Sequence, residues 1–225
     1  MRLSKQAGVP FGGMKLRLVD GILALVIQLH SSIAAAATPP SNFALIKLSR
    51  GISLEVPNGW RLLSYDAKRI IDTSTEAALD LSGIERPAGH EVNLIAANST
   101  PASTYAAVRV DLNMPSLIHP SVFAQVTAQD IRDLSIETER SLRLTLPQVG
   151  LTLVEFLGMR VEKISGFPAL VTEYRRSGPK GPVFVQLLQV YTAKHSFKIN
   201  LSYRESEVIL WKPVLRKIRS SIAVK

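Results

Sequence analysis

The chain has 225 residues, 46% of them hydrophobic and 20% charged, with 27 Lys and Arg against 18 Asp and Glu and a formal net charge of +9. That apolar share argues against a disordered chain and suffices for a packed core. Cysteine is absent, which excludes a disulfide framework, a lipid-modified cysteine and a thiolate metal site.

Residues 19–29 are apolar apart from Asp20, Gly21 and Gln28, follow Lys15 and Arg17, and lead into Ser31, Ser32, Ile33 and the run Ala34-Ala35-Ala36-Ala37. A basic start, a short apolar core and a small-residue exit make an export signal. The apolar stretch is shorter than the roughly 20 residues that a spanning helix needs. We expect residues 1–37 to be a signal peptide cleaved near Ala37, giving a periplasmic or secreted protein; the alternative is retention as an anchor. Met14, with Lys15 and Arg17 close behind, reads as the true initiator. Cleavage removes Arg2, Lys5, Lys15, Arg17 and Asp20 and leaves 23 basic against 17 acidic residues, a net +6. A mildly basic surface suits anionic headgroups, envelope polymers or an acidic partner, although dispersed basic residues first describe a solvated surface. Export and the lack of interleaved basic and aromatic residues argue against nucleic acid.

Residues 38–42 read as a linker, and 43–225 as one α+β domain. Residues 43–48 and 52–56 form a first hairpin around Ser49-Arg50-Gly51. The turn Pro57-Asn58-Gly59 delivers Trp60 as an aromatic plug at the domain edge. Ile70, Ile71, Ala78 and Leu81 predict a helix over 66–81, with Ser64 or Asp66 as cap, and Pro87 and Gly89 place a loop at 84–91. Residues 92–97 and 105–112 read as paired strands. Pro115, His119 and Pro120 mark an irregular crossing, after which 121–146 is helical. There Ile131, Leu134, Ile136, Leu142 and Leu146 lie among Asp130, Arg132, Asp133, Glu137, Glu139, Arg140 and Arg143, which suit an exposed face with intrahelical pairs.

Pro147 and Gly150 stop that helix, and 151–163 returns to strand composition with a break near Gly158. Residues 169–175 and 183–191 form a hairpin across Ser177-Gly178-Pro179-Lys180-Gly181-Pro182. Phe197, Ile199, Leu201 and Tyr203 then alternate with Lys198, Asn200 and Ser202, a strand with one buried face. Finally Val208, Trp211, Leu215, Ile218 and Ile222 recur at helical spacing with Lys212, Arg216, Lys217 and Arg219 between them. Ser206 is the expected N-cap. Pro213 lies too far in to open the helix, so a kink or a short initial turn is expected. This helix supplies the cover that the apolar face of the sheet needs.

Three segments resemble the PsbP-like fold, which is shared with the Ran-binding Mog proteins and many exported bacterial proteins: Ile52-Ser53-Leu54-Glu55-Val56-Pro57-Asn58-Gly59-Trp60, Gly166-Phe167-Pro168-Ala169, and the closing strand and helix that end Ile218-Arg219-Ser220-Ser221-Ile222. The resemblance spans nearly all of the expected mature chain and implies an α/β/α sandwich around a mainly antiparallel sheet. It also implies an accessory or binding role. The family has no shared active site, so no residue role is carried over. The long helical region at 121–146 departs from the smallest members.

No catalytic or metal motif emerges. His90, His119 and His195 lack a spaced partner. Asp130, Asp133 and Glu137 share a helix face with Arg132 and Arg140 nearby, which makes an ion-paired surface the simpler reading over a cation site. Ser64 and Lys68 have the wrong spacing for a Ser-x-x-Lys nucleophile. Neither cofactor nor metal is therefore expected. The candidate binding cluster is Tyr174, Arg175, Arg176 and Lys180 on the hairpin, with Tyr203 and Arg204 at the strand-to-helix corner. Guanidinium forks beside phenol rings suit an anionic ligand or an acidic partner surface, although a charged hairpin edge serves equally to discourage sheet pairing. The expected function is that of an exported, non-enzymatic accessory or binding protein contacting an envelope protein or an anionic ligand. Alternatives are an enzyme whose site assembles only in the fold, or a peripheral module reading anionic lipid through Lys212, Arg216, Lys217 and Arg219.

Overall fold

Residues 39–63, 90–116 and 118–225 are described by the computed structural model. The expected signal peptide, the helix expected at 66–81 and most of the loop expected at 84–91 lie outside these residues. Strands β1 (Phe43–Lys47) and β2 (Ile52–Pro57) pair antiparallel, Phe43 opposite Pro57 and Lys47 opposite Ser53. Their tight turn uses left-handed backbone at Arg50 (φ 61°) and Gly51 (φ 83°).

A seven-stranded antiparallel sheet is built from β3 (Arg61–Leu62), β4 (His90–Asn98), β5 (Ala106–Met114), β6 (Leu153–Ile164), β7 (Phe167–Arg176), β8 (Val183–Tyr191) and β9 (Ser196–Arg204), in the order β3-β4-β5-β9-β8-β7-β6. Helix α1 (Ala128–Thr145) lies between β5 and β6 in the chain, and α2 (Val208–Ser220) follows β9. The last two-residue strand, β10 (Ala223–Val224), adds to β2 and completes a small sheet in the order β1-β2-β10.

Period-two alternation assigns each strand residue to a face. The register sets Phe197, Ile199, Leu201 and Tyr203 of β9 beside Leu112, Val110, Val108 and Ala106 of β5, and beside Val190 and Leu188 of β8. These side chains are buried, and α2 covers them with Trp211, Val214, Leu215 and Ile218, joined by Ile52, Leu54 and Val56 of β2. Trp60 meets Trp211 edge to face, with centroids 5.7 Å apart, so the expected plug is part of this core. Removing each such large side chain from water contributes about 1.5–3 kcal/mol. On the opposite face Tyr174, Val183 and Val185 pack with Leu146, Leu142, Leu153, Phe156 and Tyr105, beneath α1 and the turn that follows it. A mainly antiparallel sheet with helices on both faces is the α+β sandwich that the sequence predicts.

Several boundaries differ from expectation for local reasons. The predicted helix over 121–146 resolves into a 3-10 turn at Pro120–Ala124 and then α1, because Thr127 caps α1 by accepting from the Asp130 amide while Asp130 accepts from the Thr127 amide. Strand β4 already begins at His90, inside the expected loop. The break expected near Gly158 is a β-bulge between Phe156 and Gly158, with Gly158 at φ 117°. Ser206 is not the α2 cap. It sits within a 3-10 turn, Glu205–Glu207, and Glu207 holds the cap position. That turn is the expected short initial turn, and Pro213 is accommodated inside α2. Among the described residues no helix is long and apolar enough to cross a membrane.

Candidate functional site

Strand alternation decides which of the predicted binding residues can meet. Arg175 stands opposite Phe184, which stands opposite Tyr203, so these three share the α2 face of the sheet. Tyr174 and Arg176 point to the α1 face. Tyr174 is buried among apolar side chains, and burial pushes its phenol up while the Arg176 charge partly opposes this. Arg176 donates to the Ser177 carbonyl at 2.9 Å and approaches the Tyr105 hydroxyl at 3.4 Å. Lys180 is exposed in the β7–β8 turn. Arg204 donates to the Ser103 carbonyl at 3.1 Å and pairs with Glu207. Adjacent Arg175 and Arg176 therefore do not converge on one ligand, and of the six residues Arg175 and Tyr203 share a cavity.

That cavity is a cleft of about 380 Å³ between α2 and the ends of β7, β8 and β9. Val208, Lys212, Leu215, Arg216 and Arg219 form its helical wall, since steps of three and four place them on one side of α2. Glu173 and Arg175 from β7, Phe184 and Gln186 from β8, Leu201 and Tyr203 from β9, and Glu205 form the floor. The Phe184 and Tyr203 rings pack at 5.2 Å with an interplanar angle of 37°.

The acidic groups of the floor are engaged. Glu173 accepts from Arg160 at 3.0 Å and from Gln186 at 2.5 Å. Burial pushes its carboxyl up, but the hydrogen bonds from Arg160 and Gln186 and the charges of Arg160 and Arg219 outweigh this and hold it below the ordinary range. Glu205 pairs with Arg175, which also binds Glu155. Glu162 takes both Arg160, at 2.6 Å, and Arg219. Burial, then the charge of Glu205, push the Tyr203 phenol up against the opposing charge of Arg175. On the outer side of α2, Lys217 lies 4.0 Å from Glu55 and 3.8 Å from the centre of the Phe43 ring. Among the described residues Lys212 and Arg216, both exposed, have no ion-pair partner.

The predicted acidic face of α1 forms local pairs. Asp130 serves the cap, where the hydrogen bonds from the Thr127 amide and hydroxyl lower its carboxyl, Asp133 accepts from Gln129, and Glu137 pairs with Arg140. Among the described residues no group of three metal-ligating side chains assembles. The sequence reading missed Glu173, Phe184 and Gln186 as neighbours of Arg175 and Tyr203. A signal for two of them exists: Glu173 follows Ala169 and Val171, and Gln186 precedes Leu188 and Val190, at the same core-facing parity. Polar residues at that parity mark where the core opens into a cleft.

No protein-family model matches the sequence, and no curated protein matches it. In structure the chain is similar to the cyanobacterial PsbP, CyanoP, of Synechocystis sp., with a TM-score of 0.50 and 12% identity over 88% of this chain and 99% of that one. At that identity the likeness is one of fold, and it agrees with the PsbP-like architecture read from the residues. Weaker likenesses are to LpqN, involved in cell envelope biogenesis of Mycobacterium tuberculosis (TM-score 0.42, 14% identity, 82% of this chain and 91% of that one), and to a Pseudomonas aeruginosa protein of unknown function (0.40, 10%, 82% and 98%).

Proposed function

We propose that the protein is exported and acts as a non-enzymatic accessory or binding protein of the cell envelope, engaging an anionic ligand or the acidic surface of a protein partner. One observation carries the reading. In the α2 cleft each carboxylate is held by arginine, while two basic side chains at the mouth, Lys212 and Arg216, keep their charge available. A cleft so arranged attracts anions and offers no free carboxylate or imidazole among its lining residues for acid-base chemistry. The export-signal pattern at residues 1–37 and the PsbP-like fold are consistent with this role. Within the predicted cluster, Arg175 and Tyr203 belong to the binding region. Tyr174, Arg176, Lys180 and Arg204 serve the hairpin and the corner beside it.

Cell fractionation with N-terminal sequencing of the exported protein tests the location, the expected mature start being near Ala37; an intact apolar segment in the mature chain rejects cleavage. Affinity capture from an envelope fraction tests the role. The wild type is expected to retain a partner or ligand that Lys212→Glu/Arg216→Glu loses and that Arg175→Ala retains weakly, because Glu205 is then left uncompensated. Equal retention by all three proteins would place binding elsewhere.

A further inference from the structure

Most polar groups lining the α2 cleft are engaged within the protein: Arg175 by Glu155 and Glu205, Arg219 by Glu162, and Glu173 by Arg160 and Gln186. Among the described residues, three donors that line the same cleft have no such partner: the Tyr203 hydroxyl, the Lys212 ammonium and the Arg216 guanidinium. Tyr203 is the telling member. It is only 6% exposed, while its hydroxyl is not among the side-chain atoms buried without a partner. A hydroxyl held in place by a packed ring, open to the cleft and unpaired within the protein, is a donor ready for a ligand. Its ring forms one apolar floor with Phe184, so a flat body resting there would bring an attached anion among the three donors.

The geometry points to a site for one phosphate monoester or carboxylate group carried on a flat apolar body. The anion is received by Lys212, Arg216 and the Tyr203 hydroxyl, and the body lies on the Phe184–Tyr203 rings. Arginine binds such oxygens through two parallel N–H groups, lysine as a point charge. The cleft is near the lower end of the range for small-ligand pockets, about 300–1,000 Å³, which suits one head and one ring rather than an extended acidic peptide. A cation is disfavoured because neither Glu173 nor Glu205 is free. The head could belong to a soluble ester or acid or to a membrane lipid, since Ile209, 89% exposed, projects one turn before Lys212 and Pro213. This assignment rests on the binding-protein reading and adds the chemical class of the ligand.

The test titrates the protein, as purified in its exported form, with phenyl phosphate while following backbone amide resonances, with benzylammonium as the opposite-charge control. Saturable shifts are expected at Gln186, Tyr203, Lys212 and Arg216, with a dissociation constant of about 0.1–1 mM. Lys212→Ala/Arg216→Ala should weaken binding by about tenfold or more. Tyr203→Phe, which retains the ring, should weaken it about three- to tenfold. A parallel arm measures co-sedimentation with phosphatidylglycerol and phosphatidylcholine vesicles. Sedimentation with the anionic vesicles alone, abolished in the double variant and without saturable phenyl phosphate shifts, assigns the head to lipid. Saturable shifts without sedimentation assign it to a soluble ligand. Absence of both, equal binding of benzylammonium, or an undiminished double variant overturns the site. Release of phenol and inorganic phosphate from phenyl phosphate would instead overturn the non-enzymatic reading and leave the site standing.

Discussion

Glu207 shows how one side chain can join two layers. Its carboxylate accepts from the Tyr105 amide at 2.8 Å and from the Trp211 indole N–H at 2.9 Å, and it pairs with Arg204. Tyr105 adjoins the start of β5 and Trp211 is the largest core residue of α2, so this carboxylate fixes the helix against the sheet. Although it occupies the cap position of α2, it makes no capping bond, because its oxygens are committed to these longer-range donors. Glu207→Ala takes the acceptor from the Tyr105 amide and the Trp211 indole N–H and leaves Arg204 with the Ser103 carbonyl but no carboxylate, and is expected to cost about 2–3 kcal/mol in urea denaturation. Glu207→Gln keeps an acceptor oxygen and should cost less. Equal losses for the two variants would mean that the carboxylate acts through packing rather than through these bonds.

At the scale of elements, the two sheets are joined by a serine. Ser165, at φ 53° in the β6–β7 turn, accepts from the Val224 amide at 3.0 Å and donates to the Val224 carbonyl at 3.2 Å, while the Lys225 amide donates to the Gly51 carbonyl at 3.1 Å. Gly51 itself cannot gain a side chain easily, since its φ is positive and a Cβ would stand 3.0 Å from the Lys225 carbonyl oxygen. Ser165→Ala is expected to cost about 1–2 kcal/mol and to speed hydrogen exchange at Val224 while leaving the β8 amides protected. Unchanged exchange at Val224 would refute the clasp. None of this was legible in the sequence, because two-residue strands such as β3 and β10 exist through long-range pairing and leave no periodicity of their own. The longer strands and α2 were legible, since Phe197 to Tyr203 and Trp211 to Ile218 carry clean periods of two and of three to four. The site was half legible. Alternation alone separates Arg175 from Arg176 and aligns Glu173 and Gln186 with the core face, but which basic residues of α2 stay free depends on Glu162 and Glu55, distant in the chain.

Across the whole molecule, charge is arranged so that acid should weaken the fold in two stages. His195, in the β8–β9 turn, has a ring Nε2 buried without a hydrogen-bond partner and packs edge to face on Phe197 at 4.9 Å. Burial and then the Arg50 charge lower its pKa, with Lys194 adding to this and a hydrogen bond to the Arg50 backbone opposing it. The unfolded chain, with an ordinary histidine near 6.5, therefore binds this proton more readily than the folded one. Its contribution is complete above about pH 6.5 and is lost as the pH falls toward the lower folded value. Glu173 gives the second stage. Its folded pKa is also depressed, so the stability it confers is present above the ordinary carboxylate range, about pH 4–4.5, and is lost as the pH falls through the folded value. Protonating it also frees Arg160, which shares Glu162 with Arg219, so the ion pairs that tie α2 to β6 and β7 should loosen with it. Urea midpoints measured from pH 8 to pH 3 are expected to fall first as the pH drops below about 6.5 and again below about pH 4.5. His195→Gln should flatten the first step without touching the second, and Glu173→Gln should do the reverse at lower overall stability. A first step that survives His195→Gln would assign it to a group other than His195.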